Sequence, residues 1–174
     1  MRVRRVGLLG GESTGKSTLA RGLAESLPGI VAHEHLREFV SAHGRTPLRE
    51  EQLGVFNSQR DVVEAAVRAA DADGAAWVIA DPLPLMTAVY SVVYFDDSSL
   101  IQEGVDDARA YDLILWCAHD IPWEADSAMR DGMSFRDRTH NVIDTVIAPL
   151  LPLHRIAGSQ TVRLAQALHL ADIR

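Results

Sequence analysis

An α/β fold with a parallel sheet covered on both faces follows from three observations. A short strand at residues 3–9, apolar at Val6, Leu8 and Leu9, and continuous apolar runs at 76–80 and 113–118 read as strands, the last two buried on both sides. Between them lie longer stretches whose apolar residues recur at helical spacing, and that alternation is the signature of strand–helix–strand units. The first run also passes directly into Gly10-Gly11-Glu12-Ser13-Thr14-Gly15-Lys16-Ser17-Thr18. This is a glycine, four free positions, then Gly-Lys-Ser, placed between a strand and a helix.

Taken in order, residues 3–9 give a first strand with Val6, Leu8 and Leu9 beside Gly7. Residues 16–27 give a helix with Leu19, Ala20, Leu23, Ala24 and Leu27 on one face. Pro28-Gly29 ends it, and residues 30–32 form a second strand running into His33-Glu34-His35. A short helix over 34–41 and a polar loop over 41–47 precede a long helix, 48–72, whose apolar side is Leu53, Phe56, Val63, Ala66, Val67 and Ala70. The strand at 76–80 ends in Asp81-Pro82. Residues 84–95 are apolar nearly all round, so that helix is expected inside the molecule. An acidic stretch, 96–110, holds a shorter exposed helix. The strand at 113–118 leads into an irregular segment, 120–132. Ser134 is then expected as an N-cap with Asp137 behind it, opening a helix to about residue 150. A brief strand at 155–157, Gly158-Ser159 and a helix ending near Ala171 complete the chain. The expected sheet has about five strands.

Composition removes several function classes. The length suits one domain with a full core, here residues 1–174. A net charge of −7 without a basic stripe argues against a nucleic-acid partner. Arg2, Arg4 and Arg5 precede too short an apolar run for a signal peptide, and no run approaches the ~18 residues of a membrane span. The one cysteine, Cys117, cannot form an internal disulfide and reads as a small core residue. A cytoplasmic location is expected.

The glycine-rich stretch carries the chemistry. Glycines 10, 11 and 15 let the backbone curl so that successive N–H groups face phosphate oxygens. The helix starting near Lys16 turns its positive end toward the same anion. Lys16 can then reach the β- and γ-phosphates of a nucleotide, and the Ser17 hydroxyl can ligate Mg²⁺.

In parallel sheets ligands sit beyond the carboxyl ends of the strands. The residues at those ends here are Glu34, Asp81, His119-Asp120 and Gly158-Ser159. Asp81 closes a buried strand, where such enzymes place the acid that holds Mg²⁺; an Asp-Pro turn reads the same way. Glu34 can take the proton from an attacking hydroxyl, with Arg37 positioning a phosphate or keeping Glu34 ionised. An ion pair on a helix surface accounts equally well for their spacing. Arg130, Arg136 and Arg138 fall in or near the irregular segment, where at least one is expected to stabilise charge on a transferred group. Trp123 is expected to anchor the loop around it. His33, His35 and His43 lack any Cys partner and do not suggest a metal site.

With these residues assembled, the chain resembles the ribosylnicotinamide kinase domain of bacterial NadR proteins and its stand-alone relatives among small P-loop kinases. The matching pieces run in order over almost the whole chain: residues 10–17, Glu34-His35-Leu36-Arg37-Glu38-Phe39-Val40, Gln59-Arg60, Ile79-Ala80-Asp81, Tyr111-Asp112-Leu113, Asp120-Ile121-Pro122-Trp123, Arg130-Asp131-Gly132, Gly158-Ser159 and Arg163. The resemblance implies a three-layer nucleoside-kinase-like sandwich. It also implies ATP-dependent phosphorylation of the 5′-hydroxyl of nicotinamide riboside, with Mg²⁺. Carried over, Gly11, Glu12, Ser13, Thr14, Gly15, Lys16, Ser17 and Thr18 bind ATP, with Gly158 and Ser159 near adenine. Ser17 and Asp81 serve the metal, Glu34, Arg37 and Asp81 the substrate, and Arg130 with Arg136 clamp the flap.

The chain departs from the family at three places. Leu83 stands where the family carries a second acid, His33 and His35 flank Glu34 where an aromatic is usual, and residues 126–130 are one residue longer than the usual form. No adenylyltransferase part precedes the kinase part, so that activity is expected to be absent. Two other readings stay open: a kinase of another nucleoside or nucleotide, and an ATP-binding regulatory module with little turnover.

Overall fold

The computed structural model describes residues 2–122 and 132–172. Five strands form one parallel sheet in the order β2-β3-β1-β4-β5. They are β1 (Arg4–Leu9), β2 (Gly29–Ala32), β3 (Trp77–Ala80), β4 (Leu113–Cys117) and β5 (His154–Ile156). β1 lies at the centre, with Val6 level with Ile79 on one side and Leu113 on the other. The sheet order therefore reverses at the end of β1, which opens a crevice there.

Side chains alternate across the sheet with a period of two. Leu9, Val78, Ala80, Ile114 and Trp116 pack on one face under α3 (Gln52–Asp73), α4 (Leu85–Phe95), α5 (Ile101–Ala108) and α6 (Gly132–Val142). Val6, Leu8, Ile79, Leu115 and Cys117 pack on the other under α1 (Lys16–Ser26) and α7 (Gln160–Asp172). The result is the three-layer sandwich with a parallel five-stranded sheet that the sequence predicts. Cys117 is buried, and burial pushes its thiol up to about 11, as befits a core residue.

Gly7 is needed for close packing. A Cβ there would lie 3.0 Å from the Tyr111 ring and 3.1 Å from Leu83 Cδ1. Leu83 itself is wholly buried.

The helices differ from expectation in places that have physical reasons. α2 (His35–His43) starts one residue later than expected, leaving Glu34 as its N-cap. The long helix begins as a 3₁₀ turn, Arg49–Glu51, because the Glu51 carboxylate accepts from the Leu48 N–H at 2.7 Å and tightens that turn. Leu53 was expected on the apolar side of α3, but it is 48% exposed. It precedes the stretch where α3 meets the sheet, and the buried stripe starts at Val55 and Phe56. α5 buries Ile101, Gly104, Val105 and Ala108 and is half-buried rather than exposed.

Ser134 is not a cap, since α6 already runs through it from Gly132. That helix widens into a π-helical turn, Ile143–Ile147, and does not continue as α-helix to 150. Arg136 and Arg138 consequently sit on a helix and not in irregular chain.

Candidate active site

The chain leaves β1 and curls before α1. Gly10 has φ +145° and Gly15 φ +78°, both in the region that glycine enters without strain. Space alone also demands glycine. A Cβ on Gly10 would sit 2.7 Å from Thr14 Oγ1, and one on Gly15 would sit 2.5 Å from Gln160 Nε2. The Thr14 hydroxyl donates to the Gly11 carbonyl at 2.8 Å, and Lys16 Nζ donates to the same oxygen at 2.7 Å. The lysine is thus folded back over the loop whose amides it would assist. Gly15 caps α1 without a side-chain hydrogen bond, so the first N–H groups of the helix remain for a ligand.

Arg163 supports the loop from below. Its guanidinium, fully buried, donates to the Gly158 carbonyl at 2.7 Å, to the Thr14 carbonyl at 3.0 Å and to the Ala118 carbonyl at 3.0 Å, and it pairs with Asp120. Asp120 in turn accepts from the Gly158 N–H at 2.7 Å. Burial alone would raise the Asp120 carboxyl, but that N–H and Arg163 outweigh it and hold it below the usual carboxylate value. The tips of β4 and β5 are therefore locked to the phosphate loop. Gln160, next to Gly158 and Ser159, lies against Gly15. The sequence reading missed it, and only its place beside the Gly-Ser pair hinted at a role.

Glu34 and Asp81 end β2 and β3, as expected. The Glu34 side chain is 14% exposed and accepts from Arg37 Nε at 3.1 Å, so the ion pair is present and its carboxylate is largely buried. Burial raises the Glu34 carboxyl above its usual value. Lys16 and Arg37 oppose the rise, and Asp81 adds to it. Glu34 and Arg37 line one cavity with residues 12–18 and Tyr90. Asp81 is buried, 6% exposed. The Ser17 hydroxyl and the Asp81 carboxylate are hard oxygen donors of the kind Mg²⁺ takes, so these residues fit that ion.

A second cavity adjoins. Leu36, Val55, Thr87, Tyr90, Tyr94 and Phe135 wall it, with Glu12 at its edge. Phe135 lies 4.4 Å from the Tyr94 ring and 6.0 Å from the Tyr90 ring, centroid to centroid. Glu12 and Tyr90 line both cavities. The Tyr90 hydroxyl is held far above its usual pKa by burial, and then by Glu34, Tyr94, Glu12 and Asp81. No sequence motif marked this aromatic wall, because its members come from α4 and α6 and meet only in the fold.

The arginines divide. Arg136 is 7% exposed and crosses the phosphate loop, its Cγ 3.4 Å from where a Cβ on Gly11 would stand. Its Nη1 donates to the Ile121 carbonyl at 3.2 Å, and its buried Nε has no partner among the described residues. Arg138 turns away and donates to the Val93 carbonyl at the end of α4. Arg130, Trp123 and the lengthened segment 126–130 lie outside the described residues. Of the three histidines, His35 meets Glu38 and His43 meets the Phe39 carbonyl.

Residues 5–154 match the sequence model of a family described as the AAA domain. The chain belongs to that family. Among solved structures, this AAA domain is similar to NadR in complex with NR, at a TM-score of 0.72 and 20% identity. It is also similar to NadR in complex with NAD and AMP-PNP, at 0.73 and 21%. Each match covers 99% of this chain and 49% of the NadR chain, so the chain spans about half the length of those proteins. Deoxyadenosine kinase from M. mycoides with bound dCTP matches at a TM-score of 0.64 and 10% identity, covering 98% of this chain and all of that one. Thymidylate kinase from Ehrlichia chaffeensis matches at 0.65 and 18%, with the same coverage. No curated protein matches the sequence. At these identities the likeness is one of fold, the P-loop nucleoside-kinase fold, and the resemblance to NadR read from the sequence stands as a relation of that kind. Among the described residues no helix is long and apolar enough to cross a membrane.

Proposed function

We propose that this AAA domain, residues 1–174 as one unit, is an ATP-dependent kinase that phosphorylates the 5′-hydroxyl of a nucleoside, with nicotinamide riboside as the leading acceptor. One observation carries this reading. The phosphate-loop cavity and an aromatic-walled cavity share Glu12 and Tyr90, with Glu34 beside them. A triphosphate in the first and a flat base against the rings of the second, a gap of about 20 Å³ that must widen to admit it, would put a sugar hydroxyl near the shared wall. Tyr90, Tyr94 and Phe135 offer ring faces, which attract aromatic and cationic rings alike. Among the described residues no lysine or arginine lines the aromatic-walled cavity, which suits a nucleoside better than an acceptor that already carries a phosphate. The likeness to NadR bound to NR points to the same acceptor.

In the reaction the acceptor oxygen attacks the γ-phosphorus, and Glu34 or Asp81 takes the departing proton. Lys16 and Arg136 offset the charge that grows on the moving phosphoryl group. Arg37 steadies Glu34 in its ionised form. Mg²⁺, when held by Ser17 and Asp81, would neutralise phosphate charge. Gly158 and Ser159 would border the adenine.

A second reading, a nucleotide-binding module with little turnover, draws support from Leu83, an apolar buried residue where the resembled family has an acid. Production of ADP on addition of nicotinamide riboside, compared with a panel of other nucleosides, separates the two. ATP binding without stimulation by any acceptor would overturn the kinase reading.

A further inference from the structure

The acceptor side of the site poses a backbone problem. α2 begins at His35, and the first N–H groups of a helix have no partner within it. Its N-cap, Glu34, makes no side-chain capping bond; its carboxylate faces Arg37 and the phosphate-loop cavity instead. One of those amides, at His35, finds its partner on another helix. Gln59, one turn beyond Phe56 on α3 and 3% exposed, accepts from the His35 N–H at 2.7 Å. Its amide nitrogen donates to the His33 carbonyl at 3.3 Å and to the Pro82 carbonyl at 3.0 Å. Both of its donors and its acceptor are thereby used on backbone.

Those three backbone groups belong to the two strand tips that bear the candidate acids. His33 and His35 flank Glu34, and Pro82 follows Asp81. We infer that Gln59 is a positioning residue: it takes the first amide of α2 and ties the β2 and β3 tips together, so that both carboxylates are held in fixed relation. An apolar side chain of equal length would leave a part-buried N–H and two carbonyls without this partner, and the tips would keep the ladder between β2 and β3 and the Asp81 N–H bond to the Ala32 carbonyl at 2.9 Å but lose the tie to α3. The kinetic part of this inference rests on the kinase reading above, whereas its structural part does not.

The test has two arms. In the wild-type protein, hydrogen exchange read by NMR should find the His35 amide protected like core amides, although it is the first residue of an exposed helix; fast exchange there would overturn the inference. Gln59→Met should then lower kcat with the nucleoside acceptor by about 10- to 100-fold, the size expected when reacting groups are misplaced by an ångström or less. Affinity for a fluorescent ATP analogue should stay within about twofold, since the phosphate loop is not touched. A variant that melts earlier but keeps wild-type kcat would assign Gln59 to stability alone and sink the proposal. If no acceptor supports turnover in the wild type, the kinase reading fails, and the exchange arm alone decides the role of Gln59. The same arm decides it if the variant does not fold.

Discussion

The phosphate side and the acceptor side of the site are built on opposite plans. Nine consecutive residues, Gly10 to Thr18, make the first, and its two side-chain bonds within the loop converge on one oxygen: Thr14 and Lys16 both bond Gly11. The second draws single residues from α2, α3, α4 and α6 and from two strand tips, joined by long-range bonds such as Gln59 to Pro82. A loop set by local backbone geometry can bind phosphate in any protein that encodes it. A wall assembled from distant helices can change its members one at a time. The difference teaches where specificity resides, namely in the dispersed half.

Breaking the local half should have the largest effect. Lys16→Ala is expected to lower kcat by about 10³-fold while the circular dichroism spectrum and melting curve stay unchanged. Retained turnover would remove the site assignment. Arg163 tests whether the local loop stands alone. Arg163→Met leaves three carbonyls and Asp120 without their donor, and it should cost roughly 3 kcal/mol of stability in denaturant unfolding. A loss within error would mean that the loop needs no support from β4 and β5. The dispersed half should respond more selectively. Tyr94→Ala, at a partly exposed ring on Phe135, should raise the acceptor KM about tenfold, the value of one lost ring contact, with nucleotide affinity unchanged. Equal changes in both would blur the division drawn here.

The smallest effect concerns pH. Glu34 must be ionised to accept a proton, and burial raises its carboxyl, so the acid limb of the kcat profile should lie above the ordinary glutamate value of about 4.3. Activity is present above that folded-state pKa and is lost as pH falls through it. Arg37 opposes the rise, hence Arg37→Met should move the limb to higher pH. A limb that stays in place would favour Asp81 as the base.

How much of this was legible in the sequence follows the same division. The sheet could be read because β3 and β4 are apolar without interruption, and the phosphate loop because its glycines and Lys16 are fixed by spacing. Glu34 and Asp81 could be placed at strand ends, yet whether Glu34 was a surface partner of Arg37 or a site acid could not be told apart. The structure shows the ion pair and also sets Glu34 on the cavity wall, since i, i+3 spacing fixes the pair whatever the depth of burial. Tyr90 stood in a stretch whose apolar character signalled only a core, and Phe135 stood alone among polar residues at a helix start. The role of Gln59 was hidden for another reason: its partners are backbone atoms, which leave no trace in side-chain patterns. Ser134 misled because a serine ahead of an apolar residue resembles a cap even inside a helix. α6 had already begun two residues earlier.

Gly7 and Leu83 carry a consequence for anyone seeking to convert this protein into a closer likeness of its relatives. The missing acid cannot be restored by one substitution. Leu83→Asp would point a carboxylate into hydrocarbon against β1 and the Tyr111 ring, where ionisation is strongly opposed. With Gly7 and Leu83 fitted to each other in this way, any chemistry at the site has to be done with acids that lie elsewhere.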